Sequence, residues 1–216
     1  MFVAKRMTPD PVTITPATSV SDAIQLLRTH QFRRLPVVDN GKLVGIVTDR
    51  DLREVSPSPA TTLSVYELNY LLAKMQIKDV MKSPVQTIRD DATIEEAALV
   101  MYNDKIGGLV VVDANQKVAG IITETDIFKT FVDLMGLTEG KTRITINVTD
   151  KVGLLHEVTG VFKDLSVNIG SLVTYPLDNG HFQLVVRADI QEQDMPAIAK
   201  RLEAIQCPVV HVAYIR

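Results

Sequence analysis

The chain of 216 residues has no tryptophan, a single cysteine and only 5% aromatic residues, and each scarcity closes off a class of function. One cysteine forms no internal disulfide, and Cys207 opens the apolar stretch to Ile215, the setting of a buried thiol rather than of a nucleophile. The four histidines, His30, His156, His181 and His211, lack metal-ligand spacing, so neither a metal site nor a catalytic triad is assigned to them. No apolar run nears the roughly 20 residues that span a bilayer. Met1 to Arg6 lacks a signal-peptide core, and the expected location is the cytoplasm. Lysine and arginine number 23 against 26 aspartates and glutamates, a net charge of −3, which leaves no basic excess to hold a nucleic-acid backbone. No residues form a coherent set of nucleophile, base and oxyanion donors. The expectation is a protein without enzymatic activity or a catalytic cofactor.

What is present begins with a soluble, globular composition, 46% hydrophobic and 23% charged, over a length sufficient for more than one compact domain. The chain also repeats itself. Gly45-Ile46-Val47-Thr48-Asp49-Arg50-Asp51 returns as Gly120-Ile121-Ile122-Thr123-Glu124-Thr125-Asp126, each an apolar strand running into Thr-x-x-Asp where a helix pattern starts. A hydroxyl and a carboxylate three residues apart at a helix N-terminus stand beside free backbone N–H groups, a corner that favours anions. The same two side chains are also what an ordinary helix cap looks like.

The repeat extends well beyond these corners. Met7 matches Met81, and helix positions Val20, Ala23, Ile24 and Leu27 match Ile94, Ala97, Ala98 and Met101, all 74 positions later. Asp39 matches Asp113 at the same offset, while Asp51 matches Asp126 at 75, one extra residue falling in the turn Asp113 to Gln116. Such an offset, held across helix, strand and turn, marks a duplicated supersecondary unit. Within the first copy, Ser19 with Asp22 reads as a helix cap and Asp39-Asn40-Gly41-Lys42 as a hairpin turn. Residues 53 to 63 read as a loop around Ser56-Pro57-Ser58-Pro59. Ser64 to Glu67 is a capping box that opens a helix through Leu68, Leu71, Leu72 and Met75. That helix has no counterpart in the second copy.

Gly136 to Gly140 reads as a domain boundary. Beyond it, strand-like alternation over Arg143 to Thr149 leads to a helical face at Leu155, Val158, Phe162 and Leu165, then to strands at Val167 to Tyr175 and Phe182 to Arg187 joined by Asp178-Asn179-Gly180. A helix with Met195, Ile198, Ala199, Leu202 and Ile205 on one face and a strand Val209 to Ile215 complete βαββαβ, a ferredoxin-like order. The fold class is α/β (α+β).

Residues 3 to 133 resemble a tandem pair of CBS domains, a Bateman module. The likeness rests on Pro11-Val12-Thr13-Ile14 and Pro84 to Ile88, on the strands Leu35 to Asp39 and Leu109 to Asp113, and on the two Gly-x-x-Thr-x-x-Asp ends. Residues 143 to 216 resemble an ACT domain through Asp150 to Leu155 and Val167-Asn168-Ile169. This order of modules is similar to the acetoin-utilisation AcuB type. The expected divisions are 1–54 and 77–135 for the two repeats, 55–76 for a linker and helix, and 141–216 for the C-terminal domain.

The resemblance implies clefts between the repeats for an adenosine-type ligand, AMP, ATP or another adenosyl compound. Asp51 and Asp126 would take the ribose hydroxyls and Thr48 and Thr123 would lie near phosphate, with Thr13, Ile14, Thr87 and Ile88 beside them. Arg33, Arg34 and Arg50 favour the Asp51 cleft for a charged nucleotide, because Gly107, Gly108 and Thr125 stand at the equivalent places of the other. Solvated surface is the alternative for Arg33 and Arg34. For the C-terminal domain the family implies an amino-acid site at Asp150, Gly153, Leu154 and Asn168, or dimerisation alone. The implied function is regulatory, a homodimeric sensor acting on a partner enzyme or on a pathway such as acetoin utilisation. A ligand-independent assembly module presenting a partner surface is the alternative.

Overall fold

Each half of the duplication completes its sheet and core with the lead-in segment of the other. The computed structural model describes residues 1–56 and 64–214. The first repeat contributes β1 (Thr8–Pro9), α1 (Val20–His30), β2 (Arg34–Asp39), β3 (Lys42–Thr48) and α2 (Asp49–Val55). A helix α3 (Val65–Lys74) follows, and the second repeat supplies β4 (Thr87–Arg89), α4 (Ile94–Asp104), β5 (Gly108–Val112), β6 (Val118–Thr123) and α5 (Glu124–Leu134).

Thr8 in β1 pairs antiparallel with Ile121 of β6, in the other repeat. Reciprocally, Lys82 exchanges both backbone hydrogen bonds with Ile46 of β3, at 2.9 and 3.0 Å. The hydrophobic cores show the same exchange. Ile77, from the segment ahead of the second repeat, is fully buried with Val20, Leu27, Leu35, Val37, Val47 and Leu52. Val3 is fully buried with Ile94, Met101, Leu109, Val111 and Ile122. Neither repeat closes a core by itself, as expected of units near 55 residues. Two glycines allow the close approach: a Cβ on Gly45 would run into the side chain of Met81, and one on Gly120 into Met7 and the carbonyl of Thr8.

Local signals are realised at most turns and caps. Ser19 Oγ accepts from the Asp22 N–H at 3.0 Å. Asn40 and Gly41 both take positive φ, 48° and 78°, the pair of left-handed residues that a tight hairpin needs. Ser64 and Glu67 form the expected capping box at the start of α3. Of the loop read over 53 to 63, residues 53 to 55 continue α2, whose apolar Leu52 and Val55 pack on the first core; residues 57 to 63 lie outside the described residues. The side chain of Leu68 and residue Ile215 also lie outside them.

The chain divides into two compact units, Met1–Ile127 and Phe128–Arg216, so the division falls within α5 and ahead of Gly136 to Gly140. The reason is visible at the end of that helix, where Met135 is 6% exposed and its carbonyl accepts a hydrogen bond from Ser171 Oγ of the C-terminal sheet at 2.9 Å. The second unit runs β7 (Thr142–Thr149), α6 (Leu154–Asp164), β8 (Ile169–Pro176), β9 (His181–Ala188), α7 (Met195–Ala204) and β10 (Val209–Ala213). Its sheet order is β10-β7-β9-β8, antiparallel throughout, the ferredoxin-like arrangement of βαββαβ. Ile144, Ile146, Leu184 and Val186 face Val158, Phe162, Ile198 and Leu202 of the two helices in one core. Cys207 lies in that core, and burial pushes its thiol pKa up, which suits an inert side chain.

Candidate functional site

At both Thr-x-x-Asp corners the carboxylate turns back onto the start of its helix, and the first corner is a full capping box. At the first, Asp51 Oδ2 accepts from the Thr48 backbone N–H at 2.9 Å and from the Thr48 hydroxyl at 2.5 Å, and the Asp51 N–H returns to Thr48 Oγ1 at 3.2 Å. At the second, Asp126 Oδ2 accepts from the Thr123 N–H at 2.8 Å and from its hydroxyl at 2.7 Å. Both carboxylates therefore turn onto their own main chain, as the cap reading requires.

The first corner has an additional partner. Lys82 Nζ lies 2.6 Å from Asp51 Oδ1, although the Asp51 side chain is only 5% exposed. Burial works against the charge on Asp51, but the Lys82 ammonium and the Thr48 hydroxyl and amide outweigh it and hold the carboxyl below its usual range.

At the second corner a cavity of about 320 Å³ opens between the repeats. It is lined by Thr123, Glu124 and Thr125 of the second repeat and by Thr8, Val12, Phe32, Arg33 and Arg34 of the first. That volume lies at the lower end of the range of small-molecule sites. Arg34 dominates the charge there: it donates from Nη2 to the Gly107 carbonyl at 2.8 Å and sits in the field of Glu124 and Asp126. Burial lowers its pKa, with Glu124 pulling the other way, and its buried Nε has no hydrogen-bond partner among the described residues. The guanidinium has room because its counterpart in the second repeat is Gly108, where a Cβ would collide with it. An arginine remains charged under such a shift. The cavity thus combines a fixed cation, hydroxyls, one exposed carboxylate and an apolar wall.

The placement of the expected residues departs from the sequence reading in four ways. Arg33 and Arg34 line the Thr123 cavity rather than the Asp51 corner, because β2 ends beside Gly107 across the repeat interface. Arg50 faces solvent along α2, its Nε 3.0 Å from Glu54 Oε1. Ile14 and Ile88 are core residues, and the N–H and C=O of Ile14 are both taken by β2. Thr13 is exposed, while Thr87 lines a separate opening of about 870 Å³ beside the two hairpin turns.

In the C-terminal unit, Asp150, Gly153 and Leu154 line a cavity of about 400 Å³ with Phe182 and Thr174. Gly153 caps α6 at φ 87°, a conformation that favours glycine. Asn168 is not part of that group. It sits beside Asp189, next to the Ala188 that pairs with Thr142, whereas Asp150 bonds to Gly180 past the other end of β7. The two are a strand length apart, roughly 25 Å.

The CBS-domain profile matches residues 3–58 and 77–133, more than half of the chain. The chain belongs to the CBS-domain family. Its CBS pair is similar to the crystal structure of CBSX2 in complex with AMP, at 32% identity over 61% of this chain and 96% of that one, with a TM-score of 0.51. A structure from Vibrio cholerae assigned to acetoin utilization (AcuB) is similar at 32% identity, 64% and 96% coverage and a TM-score of 0.52. The CBS pair of MJ0100, solved with 5-methylthioadenosine and S-adenosyl-L-methionine, is similar at 29% identity, 62% and 97% coverage and a TM-score of 0.51. Among curated proteins, MJ1225 of Methanocaldococcus jannaschii is 33% identical over 126 residues, 58% of this chain and 45% of that protein. The chain thus spans less than half the length of that relative.

Among the residues of the CBS pair that escaped the sequence reading are Lys82, Thr8, Phe32 and Glu124. Lys82 and Thr8 occupy equivalent places 74 positions apart, and that offset was the available signal. Their role appears only once each lead-in is seen to pair with the opposite repeat.

Proposed function

We propose that the protein is a non-catalytic regulatory sensor whose CBS pair binds an adenosyl compound in the cavity at Thr123. The observation that carries the reading is the convergence of Arg33 and Arg34 from one repeat on Thr123, Glu124 and Thr125 of the other. A guanidinium pair meets a phosphate or carboxylate, the hydroxyls and Glu124 suit a ribose, and Val12, Ile121 and Phe32 offer an apolar wall for a purine. Relatives solved with AMP and with S-adenosyl-L-methionine support the same ligand class. Because the wall comes from both repeats, a ligand favours the arrangement that closes them on it, and that differential affinity is what makes a switch.

The C-terminal unit is proposed as an ACT-type module for dimerisation or amino-acid binding, supported by its topology and by the cavity at Asp150, Gly153 and Leu154. A homodimer is supported by exposed apolar side chains at helical spacing, Leu99 and Tyr102 on α4 and Phe128, Phe131 and Leu134 on α5. Control of a partner enzyme, with acetoin utilisation as one such pathway, completes the proposal and rests on the likeness to the Vibrio protein. Thermal unfolding with AMP, ATP and S-adenosylmethionine tests the sensor. At a ligand concentration a hundredfold above Kd, stabilisation of about 2.7 kcal/mol is expected. No stabilisation by any of the three would contradict it and favour a ligand-independent assembly module.

A further inference from the structure

At the far end of the strands from the Thr123 cavity, the duplication brings a second set of matched side chains together. Asn40-Gly41-Lys42 turns the β2–β3 hairpin and Asn115-Gln116-Lys117 the β5–β6 hairpin, so an Asn-x-Lys turn recurs 75 positions later. Both turns border the one opening of about 870 Å³, with Ser83 and Thr87 from the segment leading into the second repeat. Lys117 and Thr123 flank β6, and Asn40 and Arg34 stand at opposite ends of β2. The two cavities are therefore about a strand length apart, roughly 20 Å. They share no lining residue.

The charge at the hairpin opening is of one sign. Lys42 and Lys117 line it, and no aspartate or glutamate does so among the described residues. Neither ammonium forms an ion pair among those residues. The acids of the two turns are engaged by the turns themselves. Asp39 Oδ1 accepts from Asn40 Nδ2 at 3.1 Å, and Asp113 Oδ1 accepts from the Asn115 and Lys117 N–H groups, each at 2.8 Å. Turn chemistry accounts for Asn40 and Gly41, both at positive φ, but it asks for no lysine from each repeat at a shared concavity. In a chain of net charge −3, two cations bordering one recess focus a local positive potential. The volume lies within the range of small-molecule sites.

We propose that the opening between the two hairpins is an anion site separate from the adenosyl cavity, taking a phosphorylated small molecule with at least two negative charges, held by Lys42 from one repeat and Lys117 from the other. Lysine suits the role as a point charge that meets phosphate without the fixed fork of a guanidinium. Two charges on the ligand match two ammoniums on separate turns, and the Asn115 amide with the Ser83 and Thr87 hydroxyls adds hydrogen-bonding groups. Such a ligand links the hairpins of the two repeats.

Isothermal titration of the full chain with inorganic pyrophosphate, a small probe with two phosphate groups, tests the site. The parent is expected to bind it, and Lys42→Gln combined with Lys117→Gln to bind tenfold or more weakly. Each single variant should fall between, which covers the case in which the double variant does not fold. Arg34→Ala, which alters the Thr123 cavity, is expected to keep the hairpin site at parent affinity. So is Lys74→Gln combined with Lys163→Gln, which removes two exposed charges elsewhere. Circular dichroism confirms the fold of each. No binding by the parent, unchanged binding in the folded hairpin variants, or an equal loss in the Lys74 and Lys163 control overturns the inference and leaves the adenosyl reading standing. Loss of all pyrophosphate binding in folded Arg34→Ala overturns it too, since the anion then sits at Thr123.

Discussion

The two CBS repeats share a scaffold and differ at the face they turn toward a ligand. Strand, corner and helix recur, with Val3 and Ile77 filling equivalent places in opposite cores and Met7 and Met81 lying over equivalent glycines. Against that background Lys82 replaces Thr8 and Arg34 replaces Gly108. The exchange of lead-in segments ties the repeats together, while positions free of that duty are where the clefts diverged.

The largest expected effects come from breaking the exchange. Ile77→Ala should cost about 2–5 kcal/mol in denaturant unfolding, and Val3→Ala somewhat less, each by opening a void in the core of the opposite repeat. If exchange by hydrogen–deuterium labelling shows the loss confined to the repeat in which the substitution lies in sequence, the swapped architecture is contradicted. Gly120→Ala should cost about 1–3 kcal/mol and exceed Gly45→Ala. The new methyl meets the fixed carbonyl of Thr8 at the former site but only the flexible Met81 side chain at the latter.

A smaller effect sharpens the comparison of the corners. Asp51→Asn keeps a competent cap but loses the charge that faces Lys82, at a cost of about 1 kcal/mol, since Lys82 itself is 68% exposed. The folded-state pKa of Asp51 lies below its unfolded value, so its contribution is fully present above about pH 4. It is lost as the pH falls through the folded pKa. The stability gap between parent and variant should therefore be present at neutral pH and close in acid. Arg50→Ala should be the mildest change, about 0.3–0.5 kcal/mol from its exposed helical pair with Glu54. It should leave AMP affinity unchanged.

Much of the fold was legible because local chemistry and periodicity agree with it. Ser19, Ser64 and the Asn40-Gly41 turn act as caps and turn where the sequence places them. The apolar faces of α6 and α7 enter one core, except for Leu155, which is exposed at the first turn of α6. The site was legible only in part. Thr48, Asp51, Thr123 and Asp126 could be found as corners, but a motif does not say which repeat its neighbours serve. Arg33 and Arg34 precede the first corner in sequence yet wall the second, because pairing across the repeats reverses the assignment that chain order suggests. Asn168 fails for a similar reason: a site inferred from two turns takes no account of the strand length between them.

In the proposed sensor an adenosyl ligand is held at Thr123 by cations reaching over from the first repeat. Calorimetric titration of AMP into the parent and into Arg34→Ala tests it most directly. Binding by the parent and a loss of tenfold or more in the folded variant is the predicted result; equal affinity in the two would contradict it.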